Sequence, residues 1–268
     1  MTGKVYFVGT PIGNLDDITM RAVNTLNLVD TIACEDTRHS SILLNHLGIK
    51  KPTFSYHKFN EIECSTKIID LVNQGKNIAV ISDAGMPGIS DPGFILIKKL
   101  IELDIPYEII PGVTAVTTAV VGAGLGDGKF CFLGFLPPKK VDRDNLLDKY
   151  SNTTTTLVLY SASHDINKDL DYLYSTLGDM AVVVANELTK KFEKYLRGTL
   201  SSLRIDNPRG EYVILVELLP KSNPLNDLPL QQHLDFYLNS GEKRMDAIKL
   251  VARDRNLKKN DIYNQLNK

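Results

Sequence analysis

The stretch that decides the fold is Ile78-Ala79-Val80-Ile81-Ser82-Asp83-Ala84-Gly85-Met86-Pro87-Gly88-Ile89-Ser90-Asp91-Pro92-Gly93. It begins with an uninterrupted apolar run bounded by polar residues, the pattern of an interior parallel strand. Gly85, Pro87 and Gly88 then exclude regular structure and let the backbone approach a ligand closely. Asp91-Pro92 predicts an N-cap followed by proline at the first helical position, with Phe94, Ile95, Ile97, Leu100 and Ile101 continuing the helix. Open α/β sheets bind ligands at the carboxyl ends of such strands. The plainer alternative is an ordinary βα turn, so the flanking segments decide.

Upstream, Val5-Tyr6-Phe7-Val8 predicts a strand that stops at Gly9-Thr10-Pro11-Ile12-Gly13-Asn14-Leu15. Asp17 or Thr19 can cap the next helix, with Ala22, Val23 and Leu26 at helical spacing. The loop has neither dinucleotide-binding nor Walker spacing, and Pro11 removes a backbone donor that an anion would want. Thr31–Cys34 predicts a second strand, ending in Glu35-Asp36-Thr37-Arg38-His39-Ser40, the densest cluster of chemical side chains in the chain. Asp36 or Thr37 can also simply cap the helix bearing Ile42, Leu43, Leu44 and Leu47, which Gly48 ends. Thr53–His57 is extended and leads into a helix over 62–74. Downstream, a strand near Tyr107–Ile110 runs into Pro111-Gly112-Val113-Thr114-Ala115-Val116, another strand-end loop entering a helix. Irregular loops at successive strand ends are what a ligand cleft in a parallel sheet requires.

Composition shifts near Gly126-Asp127-Gly128. Phe130–Phe135, Thr155–Tyr160, Ala181–Ala185, Lys194–Thr199 and Tyr212–Leu219 read as strands, with helical segments around Asp144–Tyr150 and Asp165–Leu177. Adjacent strands without a helix between them predict a mixed sheet. Pro220-Lys221-Ser222-Asn223-Pro224 reads as a linker. The helical tail beyond it is basic through Lys243, Arg244, Lys249, Arg253, Arg255, Lys258, Lys259 and Lys268, with Met245, Ile248, Val251, Ile262 and Leu266 as its apolar side. A basic helical appendage suits nucleic acid, and equally a solvated terminal helix pair. The expected organisation is therefore a first α/β domain over 1–120, a second over 121–221 and a helical appendage over 222–268.

The whole chain of 268 residues is 43% apolar and 24% charged, with a net charge of −1, so any polyanion binding must rest on local charge. Cys34, Cys64 and Cys131 are isolated, which fits a reducing compartment and gives no metal spacing. The chain opens on a strand-like segment without a signal-type apolar stretch, and no apolar run reaches membrane-spanning length. A cytoplasmic protein without membrane or metal is the expectation.

Taken together, the Val8–Leu15 loop, Glu35-Asp36-Thr37-Arg38, Ser82–Pro87 with Ser90-Asp91-Pro92-Gly93, and Pro111-Gly112 resemble the tetrapyrrole-methylase superfamily of S-adenosylmethionine enzymes. Phe132-Leu133-Gly134-Phe135-Leu136-Pro137 and Glu187-Leu188-Thr189-Lys190 are similar to signatures of its branch that methylates a cytidine ribose 2′-oxygen in 16S rRNA. The resemblance covers nearly the whole chain. It departs at Met86, where the family usually has threonine, and at Phe59, often histidine there. It also departs at Ser161 and Asp165 within Tyr160–Asp165, and at Asn186 before Glu187, where a carboxylate and two arginines are lost.

The resemblance implies a two-domain α/β fold, with a mostly parallel first sheet, a mixed second sheet and a small helical appendage. It also implies a methyl-donor site between the domains. On it, Pro11, Asp83, Ala84, Gly85, Met86, Thr114 and Ala115 are donor contacts, with Tyr160, Ala185 and Ile214 closing the pocket. Glu35 and Asp36 are candidate bases, and Arg38 and Lys190 candidate charge stabilisers. Asn14, His39, Lys139, Lys140 and Arg143 are candidate contacts to 16S rRNA or the small ribosomal subunit. A homodimer follows by resemblance. The alternatives are a small-molecule methyltransferase of the same fold and a non-catalytic RNA-binding assembly protein.

Overall fold

The structure is a computed structural model, and it describes residues 3–150, 153, 155–218, 224–255 and 257–266. The expected linker residues Pro220–Asn223, the strand end at Leu219 and the basic Lys268 lie outside the described residues. Two compact units emerge, Met1–Leu219 and Pro220–Lys268.

The first unit opens with β1 (Val5–Val8), α1 (Met20–Leu28), β2 (Thr31–Cys34), α2 (Thr37–His46), β3 (Thr53–Ser55) and α3 (Glu61–Asn73). It continues with β4 (Ile78–Ile81), α4 (Phe94–Glu102) and β5 (Tyr107–Ile110). The strands form one sheet in the order β3-β2-β4-β1-β5, every pairing parallel. Alternation along β4 explains its unbroken apolar run. Ile78 and Val80 pack with Ile68, Val72, Leu96 and Leu100 of α3 and α4, while Ala79 and Ile81 pack with Ala22, Leu26 and Leu44 of α1 and α2.

Then come α5 (Ala115–Ala123), β6 (Phe130–Phe135), α6 (Lys140–Asp148), β7 (Thr155–Ala162), α7 (Ile166–Leu177), β8 (Ala181–Asn186), β9 (Lys194–Thr199) and β10 (Glu211–Leu218). The second sheet runs β6-β7-β10-β8-β9 and is mixed, with β6 and β7 parallel and the other pairs antiparallel. One of its faces packs on Leu147 of α6 and Leu170 and Leu173 of α7. The other packs on Val116, Ala119 and Ala123 of α5, so the helix leaving the first sheet covers the second.

Two expected helix starts are corrected. α6 begins at Lys140 rather than near Asp144, which puts Lys139 at its N-cap. α4 begins at Phe94, and its N-cap is Gly93 at φ +138°, a backbone conformation that disfavours a side chain. Asp91 therefore caps nothing. The cap acceptor comes from Glu61 at the start of α3, whose Oε1 accepts the backbone N–H of Gly93 at 2.8 Å and of Ile95 at 3.3 Å.

The second unit holds α8 (Leu230–Asn239), α9 (Arg244–Asp254) and α10 (Lys259–Leu266) around Leu234, Ala247, Ile248, Val251 and Ile262. Met245 is half-exposed rather than part of that core. His233 is fully buried, accepts a hydrogen bond from Arg255 Nε at Nδ1 (3.1 Å) and lies 3.3 Å from Asp254 through Nε2.

Candidate active site

The carboxyl ends of β1 and β4 are locked together. Thr10 N–H donates to Gly85 O (2.9 Å) and Gly85 N–H to Thr10 O (3.1 Å), while the Thr10 and Ser82 hydroxyls both reach Gly85 O. The β2 end joins them through Asp83, whose Oδ1 accepts the Asp36 backbone N–H at 3.1 Å. The β8–β9 loop reaches the same place: Asn14 N–H donates to Thr189 Oγ1 at 3.0 Å. A Cβ on Gly13 would fall 2.7 Å from Lys190 Cγ and 2.8 Å from Leu188 O, so only glycine permits this clasp. Gly13→Ala is expected to cost about 1–3 kcal/mol through overpacking, read as a lower denaturation midpoint.

These loops enclose a cleft of about 800 Å³ lined from both sheets. Pro11, Asp83, Ala84, Gly85, Met86, Thr114, Ala115, Tyr160 and Ala185 all line it, as do Glu35, His39 and Lys190. Thr114 caps α5 by accepting the Thr117 N–H, which fixes the helix start at the wall. Tyr160 packs against Phe132 and Phe135, with ring centroids 4.8 and 5.4 Å apart, and burial foremost pushes its phenol up to about 12.

Other predicted site residues lie elsewhere. Ile214 is fully buried on the α7 side of the second sheet, and its neighbour Val213 lines the cleft. A one-residue step along a strand exchanges faces. Asp36 caps α2 and pairs with Arg38, Oδ2 to Nη2 at 2.7 Å. Hydrogen bonds from Arg38 hold its carboxyl well below the usual carboxylate range. Asn14 caps the short turn at Leu15–Asp17 with its side chain. Lys140 pairs with Asp144. Arg143 is largely buried, donating to Pro137 O and reaching Asp169 at 3.3 Å.

Sequence reasoning missed the acidic character of the cleft. Glu35, Asp83, Asp91, Glu187 and Glu211 all line it. Burial, then the Asp83 carboxylate, raises Glu35. Asp91 is raised to about 7 by burial, then by Glu35, Glu211 and Asp83. Glu187 is paired with Lys190 at 2.9 Å. Asp91 follows Ser90 at φ +66°, and that strained turn is held by Gly88 N–H to Pro92 O at 3.0 Å. A carboxylate inside a Gly/Pro-rich loop was the available signal, and the capping interpretation masked it. Among the described residues no group of His, Cys, Asp and Glu is arranged to hold a metal ion, and no helix is long and apolar enough to cross a membrane.

The family model described as tetrapyrrole (corrin/porphyrin) methylases matches residues 4–204. A protein of Halalkalibacterium halodurans named ribosomal RNA small subunit methyltransferase I is 41% identical, over 98% of this chain and 94% of its own length. Its namesakes from Haemophilus influenzae and Bacillus subtilis are 41% and 37% identical over 98% and 97% of this chain, covering 96% and 93% of their own. Among solved structures, a diphthine synthase superposes with a TM-score of 0.66 at 15% identity, covering 80% of this chain and 90% of its own. The methyltransferase CobJ does so at 0.64 and 18%, covering 82% and 95%. Those two show the fold alone.

Proposed function

Because the chain belongs to the ribosomal RNA small subunit methyltransferase I family of tetrapyrrole methylases, and is thereby a methyltransferase, we propose that it transfers methyl from S-adenosylmethionine to a cytidine ribose 2′-oxygen of 16S rRNA. The observation that carries the donor assignment is the anionic cleft at the joined strand ends, lined from both sheets. Glu35, Asp83, Asp91 and Glu211 favour a cationic ligand, and the Gly85 turn lets it lie against backbone. A sulfonium donor fits that chemistry.

S-adenosylmethionine, when bound, supplies an electrophilic methyl carbon. The protein's part is to hold a ribose hydroxyl in line with it and to take the hydroxyl proton. Asp91 is the fitting acceptor: it lines the cleft, and its raised pKa lies near neutral pH. Asp36 is a weak base because Arg38 already satisfies its carboxylate. Glu35, whose charge acts on Asp91, is a second carboxylate of the cleft, and Lys190, held by Glu187, is the cation at its wall for the developing alkoxide. Lys139, Lys140 and the basic appendage supply phosphate contacts at the body and tail. Cytoplasmic residence and a homodimer complete this reading.

Calorimetry with S-adenosylmethionine, followed by mass mapping of 16S rRNA from a deletion strain, tests it. Absence of donor binding sinks the enzyme assignment; donor binding with unchanged rRNA sinks the substrate. Asp83→Asn is expected to weaken donor binding about tenfold, the effect of one lost charge-assisted contact of roughly 1.5 kcal/mol. Its amide oxygen still accepts the Asp36 N–H, so the melting temperature should hold.

A further inference from the structure

We propose that Phe59 and Phe192 are stacking platforms for unpaired RNA bases at the rim of the cleft, with the lysines beside them holding the same strand by its phosphates. The proposal rests on the rRNA assignment above for the identity of the strand.

Both rings are displayed rather than left over. Phe59 is 96% exposed and Phe192 is 72% exposed. Phe59 sits in a tight turn closed by Asn60: His57 N–H donates to Asn60 Oδ1 (2.8 Å), Asn60 N–H to His57 O (3.0 Å) and Asn60 Nδ2 to Ser55 O (3.2 Å). Phe192 sits in the β8–β9 loop, where Glu187 and Thr189 adopt positive φ. There Thr189 N–H donates to Glu193 Oε2 (2.6 Å) and Glu193 N–H to Lys190 O (3.0 Å). Hydrogen-bonded turns of this kind keep the rings from folding back onto the surface, where burial would be favourable.

Each ring is tied to the cleft. The Phe59 ring meets His57 edge-on at 6.0 Å, and its turn reaches Glu35 of the cleft wall through Ser55, whose carbonyl accepts from Asn60 Nδ2 and whose hydroxyl donates to Glu35 O at 3.2 Å. Phe192 follows Lys190, which lines the cleft itself. Each ring also has a cation beside it: Lys58 precedes Phe59, and Lys191 Nζ stands 5.7 Å from the Phe192 ring centroid. The sequence neighbours Lys58, Asn60, Lys191 and Glu193 are polar, which disfavours an apolar protein-docking patch. A bare aromatic face with an adjacent cation is what recognition of single-stranded RNA uses, because every base has a π-face to stack.

The test measures binding of a labelled, unstructured oligoribonucleotide to the full chain by fluorescence anisotropy. Phe59→Ala and Phe192→Ala are each expected to weaken it about tenfold, with S-adenosylmethionine affinity and melting temperature unchanged. Phe59→Trp and Phe192→Trp should retain binding, and Phe192→Leu should not. Unaltered affinity in both alanine variants, full rescue by leucine, or preference for a duplex would overturn the proposal. So would a changed sedimentation coefficient in Phe192→Ala, which would assign the ring to a contact between copies of the chain. Ring-dependent RNA binding by a protein that leaves 16S rRNA unmethylated would instead uphold the platforms and remove the proposed function.

Discussion

Replacing Asp91 with asparagine is expected to lower kcat about a hundredfold to ten-thousandfold, the range for loss of a positioned general base. Donor affinity should fall no further than in Asp83→Asn, since Glu35, Asp83 and Glu211 remain in the cleft. The pH profile distinguishes a base from a structural carboxylate. With its carboxyl raised to about 7, chiefly by burial, wild-type Asp91 is protonated at acid pH, so kcat should climb through neutrality. In Asp91→Asn that climb should vanish. The stability effect has the opposite sign. A carboxyl whose folded pKa lies above its unfolded one costs the fold stability as pH rises through the folded value. Asp91→Asn should therefore melt at an equal or higher temperature than wild type at pH 8. A variant with wild-type kcat and pH profile would return Asp91 to a purely structural role.

The second large effect is on stability. Glu61 is buried, and its Oε1 accepts from the Tyr56 hydroxyl at 3.1 Å as well as from Gly93 and Ile95. Glu61→Ala removes the carboxylate acceptor of a buried phenol and leaves the start of α4 uncapped, a loss of about 2–3 kcal/mol. Urea denaturation should show a lower midpoint with little change in slope. Because that cap anchors the far end of the Met86–Gly93 loop, donor binding should weaken as well. Glu61→Gln retains one acceptor oxygen and should recover much of the loss. If Glu61→Ala unfolds at the wild-type midpoint, the loop is held by other means.

The parallel sheet was legible because β4 is buried on both faces and so reads as an unbroken apolar run ending at Ser82. The walls at Pro11, Gly85 and Thr114 were legible because glycine, proline and capping residues mark strand ends locally. What escaped depends on register or on distance along the chain. Ile214 was placed in the cleft because a strand end was assigned without its alternation, and Val213 is the residue that faces inward. The start of α4 was misplaced because its cap acceptor, Glu61, lies 32 residues before Gly93. Asp91 looked like a cap because the carboxylates that raise it come from the β2, β4 and β10 ends, which adjoin only in the fold. Arg38 and Asp36 drew attention by density, yet their closest partner is each other.

The cleft walls come from segments as far apart as Thr10 and Val213, so the site exists only after both sheets have formed and met. A donor that recognises this site binds the native state and ignores the unfolded chain. Its concentration then acts as a stability reservoir: at a hundred times its Kd it adds about 2.7 kcal/mol to the folding free energy. Starving a cell of the donor would raise the unfolded fraction of Met1–Leu219 in proportion and expose it to proteolysis. The abundance of the protein would then follow the supply of its own donor.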